Sequence, residues 1–277
     1  MFQIKENYNI ADLIEIMRLL RSENGCPWDR EQTHASIRMN VIEEAYEVAE
    51  AIDLAENPPY NTGLLKEELG DLLLQVVFHA QMSNEAGYFD FQDVCNEICK
   101  KLIYRHPHVF GSADISDSGE VLKNWEKLKS KSKGEEKASD SLENVPKHLP
   151  ALMRGEKVGK RAANAGFDFN DIEEVIKRLK EEVSELEEAL KLESNQSNEF
   201  YNINKNHGEI EEEFGDILFT CCNLARFLKK DSEKALTRAI NKFIMRFRAV
   251  EALAEEKGAN LHSLPQEILD ELWEKAK

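Results

Sequence analysis

"EELGDLLLQVV", residues 67–77, decides how the rest of the chain is read. From Leu69 to Met82 the apolar residues nearly encircle a helix, which predicts burial. Yet Glu68 and Asp71 stand at its head, three residues apart and so on one helical face. Gln75 and His79 extend the same polar stripe. A buried charge without a partner is strongly unfavourable. Gly70 adds to the puzzle, because glycine inside a helix costs about 1 kcal/mol against alanine. It is tolerable where another backbone or a ligand must come close. The stretch therefore predicts a core helix that carries a site.

The stretch has a counterpart, "EEFGDILFTCC" at 212–222, with the stripe Glu213, Asp216, Thr220 and Asn223. Upstream of the first copy lies "EEAYEVAEAI" (43–52), and upstream of the second "EEVSELEEAL" (181–190). A break separates the acidic helices each time, "NPPYNTG" (57–63) and the longer "SNQSNEFYNINKNHG" (194–208). A basic helix follows each pair, "KLIYR" (101–105) and "KFIMR" (242–246), and a tryptophan helix closes each copy, "NWEKLK" (124–129) and "LWEKAK" (272–277). The lead-ins "GCPWDR" (25–30) and "AGFDFN" (165–170) match loosely. Features recurring in one order over this length mark an internal repeat.

The organisation expected is an all-α chain of two tandem helical units. The first covers 1–128 and the second 151–277. The polar stretch 129–150, containing "KSKSKGEEKASDS", reads as a solvated linker.

Bulk composition narrows the function. The chain has 277 residues and a formal net charge of −17. Such a surface repels polyanions and argues against a nucleic-acid polymer as partner, but a small anion arriving with a divalent cation remains compatible. No long uncharged apolar run suggests a membrane span, and "MFQIKENYNI" lacks the layout of a signal peptide. The five cysteines form no CxxC pair, which disfavours a disulfide framework. A cytoplasmic protein is expected.

The acidic residues pair by helical spacing: Glu44 with Glu47, Glu68 with Asp71, Glu182 with Glu185, and Glu213 with Asp216. If the two helices of a copy pack antiparallel, four carboxylates converge. At ~6 Å and an effective dielectric of ~20, each like-charge pair costs about 3 kcal/mol. Four carboxylates make six such pairs, which a cation would relieve. Mg²⁺ is the natural ion, a hard cation with oxygen ligands, and Mn²⁺ is the alternative. An acidic run such as "KEEVSELEEALKLE" is by itself usually a solvated helix face; the buried partner helix is what favours a site.

Lys101 with Arg105, and Lys242 with Arg246, lie one turn apart. Alone they would read as surface pairs; repeated after each acidic site, they read as phosphate clamps. Trp125 and Trp273 are candidates to stack on a base, or else core anchors. There is no G-x-x-x-x-G-K-[ST] loop, no dinucleotide fingerprint and no G-x-S-x-G elbow. Metal-activated water is then the expected attacking group.

"EEAYE…EELGD" and "EEVSE…EEFGD" resemble the EExxE…ExxD pattern of the MazG-type nucleoside triphosphate pyrophosphohydrolases. "NGCPWDREQTH" (24–34), "YRHPHVF" (104–110) and "NLARFL" (223–228) look like further segments of the two-domain members, so the similarity spans 10–277. The resemblance implies tandem helical bundles completed by homodimerisation. It also implies Mg²⁺-dependent hydrolysis of NTPs and dNTPs between the α and β phosphates, giving a monophosphate and pyrophosphate, with broad base tolerance. By position, Glu182, Glu185, Glu213 and Asp216 would hold the metal in the second copy, and Glu44, Glu47, Glu68 and Asp71 in the first. Arg178, Lys242, Arg246 and Trp273 would meet substrate, as would Lys101, Arg105 and Trp125. Glu181 or Glu43 would orient the attacking water. One departure stands out: relatives often carry lysine where this chain has Glu209.

Two rival readings are weaker. A di-iron bundle needs two Glu-x-x-His motifs, and only Glu31 to His34 is of that form. A helical adaptor explains the acidity but not carboxylates heading an apolar helix twice.

Overall fold

The computed structural model describes residues 2–55, 62–112, 117–194 and 207–277. Among them every regular element is a helix. The two breaks between the acidic helices lie largely outside these residues. The chain divides into two compact units, residues 1–129 and 130–277.

The first unit runs α1 (Ile10–Leu20), α2 (Pro27–Glu31), α3 (Arg38–Ala55), α4 (Thr62–Glu85), α5 (Phe91–Arg105), α6 (Pro107–Phe110) and α7 (Ser118–Ser132), whose last turn crosses the boundary. Local chemistry sets the helix ends. Asn9 Oδ1 accepts the Ala11 and Asp12 amides, and Asp12 returns a bond to the Asn9 amide, a reciprocal cap. Asp90 and Asp93 repeat this device at α5. After α4 the chain turns through Gly87 at φ +75, a left-handed position that glycine adopts without strain. The core gathers Met17, Ile37, Val77, Phe78 and Met82 from α1, α4 and the approach to α3.

The second unit runs α8 (Ala138–Glu143), α9 (Ala151–Asn164), α10 (Ile172–Ser194), α11 (His207–Phe227), α12 (Ser232–Glu256) and α13 (Gln266–Lys275). The expected linker is therefore partly helical: it holds the end of α7 and all of α8. Arg161 of α9 donates to the Ser141 carbonyl of α8, and α8 packs on α9. A core of Val250, Ala254 and Leu272 joins α12 to α13. α9 approaches α11 through two glycines. A Cβ on Gly155 would stand 2.9 Å from Cys222 Sγ, and one on Gly159 would stand 2.6 Å from Asn223 Oδ1.

In both units the two acidic helices pack on each other, α3 on α4 and α10 on α11. The apolar residues of α4 divide by position. Val77, Phe78, Ala80 and Met82 are buried, whereas Leu69, Leu73 and Val76, beside the carboxylates, are 39–49% exposed. α11 likewise exposes Phe214, Leu218 and Phe219. The burial expected for the head of this helix is thus not supplied by the chain's own unit. Among the described residues nothing comes within 4 Å of a Cβ placed on Gly70 or Gly215, so the close approach expected there is not made by them either. No described helix is long and apolar enough to cross a membrane.

Candidate functional site

The helix pairing converts sequence spacing into a cluster. Oxygens of Glu44, Glu68 and Asp71 lie within 4.8 Å of one another, as do those of Glu182, Glu185 and Glu213. Glu47 and Asp216 complete each set electrostatically: Glu44 and Glu68 both feel the charge of Glu47, and Glu182 and Glu213 both feel Asp216.

Burial first, and then repulsion between neighbouring carboxylates, raises the proton affinity of Glu44, Glu68, Glu182 and Glu213. Glu44 is held above its ordinary pKa by burial first, then by Glu47 and Asp71. Glu68 is raised by burial and by Glu47 and Asp71. Glu182 is raised chiefly by burial, against the opposing charge of Arg178. Glu213 is raised by burial and by the charges of Glu185 and Asp216, with Glu209 contributing. Carboxylates that resist ionisation in the bare protein are what a site built around a cation should show.

The donor set fits a hard divalent ion. All the ligand candidates are oxygens, as Mg²⁺ or Mn²⁺ prefers. Glu182 is 4% exposed, and its Oε2 is buried with no hydrogen-bond partner. An orphaned buried carboxylate oxygen is costly unless something else satisfies it. In the first unit Gln75, 6% exposed, hydrogen-bonds Glu44 while its own Oε1 is left buried and unpartnered.

The remaining sequence candidates fall into different surroundings. Arg178 lies inside the second cluster, with Nε 2.7 Å from Glu182 Oε1. Glu181 is engaged on both oxygens, by Lys177 at 3.4 Å and Arg178 at 3.5 Å, whereas Glu43 is exposed. Lys101, Lys242 and Arg246 form no ion pair among the described residues. Lys242 is exposed on α12 among the exposed apolar residues Ile240, Phe243 and Ile244. Trp125 lies under two cations, Arg105 with its guanidinium 5.4 Å and Lys129 with its ammonium 4.6 Å from the ring. Trp273 packs on Phe243 at 5.1 Å and against the core that joins α12 to α13. Among the described residues no hydrogen bond or ion pair joins Lys101, Lys242, Arg246, Trp125 or Trp273 to the clustered carboxylates.

Two arginines hold the site's surroundings without having been anticipated. Arg21 grips Glu85 at the end of α4 with Nε at 2.9 Å and Nη2 at 2.8 Å, reaches the Gln32 carbonyl at 3.2 Å, and lies over Phe78. Arg226 at the end of α11 binds Asp168. Each anchors an aromatic–Asp segment to the helix carrying the second acidic pair: Arg21 donates to the Asp29 carbonyl in α2, beside Trp28, and Arg226 holds Asp168, beside Phe167. The loosely matched lead-ins were the available signal. Beyond the acids the stripes diverge. His79 Nδ1 lies 2.7 Å from His34 Nδ1, and burial together with His34 holds its pKa down. In the second unit the equivalent position is Leu224, and the buried amide Asn223 stands where the first unit has Phe78. A cleft of about 570 Å³ at the end of α12, lined by residues including Glu251, Glu255, Asn260 and His262, contains no member of either cluster.

Comparisons with known proteins converge on the same segments. The family description "MazG nucleotide pyrophosphohydrolase domain" matches twice, over residues 32–110 and 170–251. The chain is 46% identical over 266 residues to a Thermotoga maritima protein named nucleoside triphosphate pyrophosphohydrolase/pyrophosphatase MazG, covering 96% of this chain and 94% of that one. It is 42% identical over 270 residues to an Escherichia coli protein named nucleoside triphosphate pyrophosphohydrolase, covering 97% of each. An uncharacterized Bacillus subtilis protein, YabN, is 42% identical over 95% of this chain, which spans 50% of that protein.

Proposed function

The chain belongs to the MazG nucleotide pyrophosphohydrolase family, and on that premise we infer that it is a nucleoside triphosphate pyrophosphohydrolase. It hydrolyses NTPs and dNTPs between the α and β phosphates, releasing a nucleoside monophosphate and pyrophosphate. The observation that carries this reading for the present residues is the doubled carboxylate cluster, with the orphaned Glu182 Oε2 at its buried edge.

In this reading Glu182, Glu185, Glu213 and Asp216 hold Mg²⁺ in the second unit, and Glu44, Glu47, Glu68 and Asp71 hold it in the first. The bound ion supplies charge neutralisation on the phosphates and a lowered pKa for a coordinated water. The chain's own part is positional. The helix pairs fix the carboxylates, so little reorganisation is needed when substrate arrives. Arg178 and the Lys242–Arg246 pair neutralise phosphate oxygens, as do Lys101 and Arg105 in the first unit. Glu181 or Glu43 accepts a proton from, or orients, the attacking water. Trp273 and Trp125 contact the nucleoside, and recognition centred on the triphosphate accounts for broad base tolerance. The same reading places the enzyme in the cytoplasm, with its nucleotides.

A homodimer belongs to this proposal. Leu69, Leu73 and Val76 on α4, with Phe214 and Leu218 on α11, leave apolar surface beside both clusters. Such surface favours burial against a partner. A second copy would cover it.

The test is product identity. The purified protein, Mg²⁺ and a panel of NTPs and dNTPs should give pyrophosphate without orthophosphate. Orthophosphate alone would mean γ-phosphate removal and would overturn the proposed cleavage position.

A further inference from the structure

The two acidic clusters differ by one cation. On α10 Arg178 stands one turn before Glu182. Its Nε lies 2.7 Å from Glu182 Oε1, and its Nη1 lies 3.5 Å from Glu185 Oε1 and 3.5 Å from Glu181 Oε2. A single guanidinium therefore bridges the Glu-x-x-Glu pair. The Glu182 side chain is 5% exposed and that of Arg178 is 40% exposed, so the guanidinium reaches from the surface onto a buried carboxylate. In the first unit the position one turn before Glu44 is Asn40. Among the described residues no lysine or arginine forms an ion pair with Glu44, Glu47, Glu68 or Asp71.

Resting on the metal-assisted reading above, we propose that Arg178 is a removable counter-cation, which holds the Glu182–Glu185 pair until divalent cation and triphosphate arrive together. The second site then binds metal and nucleotide cooperatively, while the first site takes metal without waiting for nucleotide.

The bridge occupies the carboxylates that a divalent ion would use. Guanidinium and divalent cation repel at the short distances of this cluster, so Arg178 must leave Glu182 and Glu185 when metal enters. Without nucleotide, its departure exchanges charge-assisted bonds for water alone. With a triphosphate present, phosphate oxygens replace the carboxylates as acceptors. Each ligand then lowers the cost of binding the other, and the coupling is reciprocal by linkage. Among the described residues the guanidinium pairs only with Glu181, Glu182 and Glu185, so its release disturbs no other described contact. Asn40 carries no charge to displace.

The test is Mn²⁺ binding to the full chain, followed by electron paramagnetic resonance of the free ion. Glu68→Gln with Asp71→Asn isolates the second site, and Glu213→Gln with Asp216→Asn isolates the first. Without nucleotide, Arg178→Gln should tighten Mn²⁺ binding at the second site on the order of ten-fold. Asn40→Arg should weaken it at the first site by a similar factor. An α,β-methylene triphosphate should enhance Mn²⁺ binding at the second site, and Arg178→Gln should remove that enhancement. Mn²⁺ held by the analogue in solution is common to both proteins and cancels in the comparison. Unchanged or weaker nucleotide-free binding in Arg178→Gln, or no effect of Asn40→Arg, would overturn the counter-cation role while leaving the metal sites intact. No Mn²⁺ bound in either background, with or without analogue, would overturn the metal-assisted reading itself.

Discussion

Arg226, at the end of α11, donates through Nη1 to Asp168 Oδ2 at 2.9 Å across 58 residues of chain. Its Nη2 reaches Asn223 Oδ1 at 3.2 Å. The bond fastens the Phe167–Asp168 turn to the helix that carries Glu213 and Asp216.

Breaking that tie should cost stability before it costs chemistry. The pair is partly screened, the arginine side chain being 19% exposed and the aspartate 31%, so Arg226→Ala should lose about 1–2 kcal/mol in urea unfolding. Arg226→Lys should recover only part, since an ammonium cannot form the two-pronged contact. The Arg226 hydrogen bond holds Asp168 below its ordinary pKa of 3.8. Its contribution is whole above that value and disappears as pH falls through the folded pKa.

The acidic clusters should behave in the opposite sense. Glu44 keeps its proton to higher pH in the fold than at its ordinary value of 4.5. Its favourable contribution is whole below that value and is lost as pH rises through the folded pKa. In EDTA, Glu44→Gln should therefore melt higher than the parent at pH 7.5, with the gap closing toward pH 5. Saturating Mg²⁺ should reverse the order at pH 7.5. Melting curves in EDTA and in Mg²⁺ at the two pH values check this.

The exposed apolar residues beside the carboxylates should be a dimer surface. Leu73→Glu with Leu218→Glu should halve the mass seen by sedimentation equilibrium and depress turnover. A parent protein that sediments as a monomer at micromolar concentration would remove the dimer from the account.

Glycines that look alike in sequence should respond differently. Gly159→Ala drives a methyl group into Asn223 and should destabilise by about 1–3 kcal/mol. Gly70→Ala meets nothing among the described residues, so in the dissociated protein it should stabilise α4 by up to about 1 kcal/mol. Thermal melts of the two variants in a dimer-breaking background give the comparison.

Much of this was legible in the sequence because periodicity and repetition are local. The i, i+3 spacing of Glu44 with Glu47 and of Glu213 with Asp216 required only a helix to share a face. That two such faces meet followed only if the two helices of a copy pack on each other, which they do. What the sequence could not supply were contacts fixed by tertiary packing. Nothing in the local sequence around Arg21 and Arg226 identifies their partners, 64 and 58 residues away. The apolar run beginning at Leu69 predicted burial, yet its first turns are exposed, because hydropathy reports a preference for burial without saying which chain provides it. Trp125 and Trp273 share a motif position, but one lies beneath Arg105 and Lys129 and the other packs against a core.

The most direct test is pyrophosphate release by three variants: Glu44→Ala with Glu47→Ala, Glu182→Ala with Glu185→Ala, and all four together. The second should lose most turnover, and the fourfold variant should lose all of it while retaining its helical circular dichroism. A folded fourfold variant that still releases pyrophosphate would contradict the assignment of the chemistry to these carboxylates.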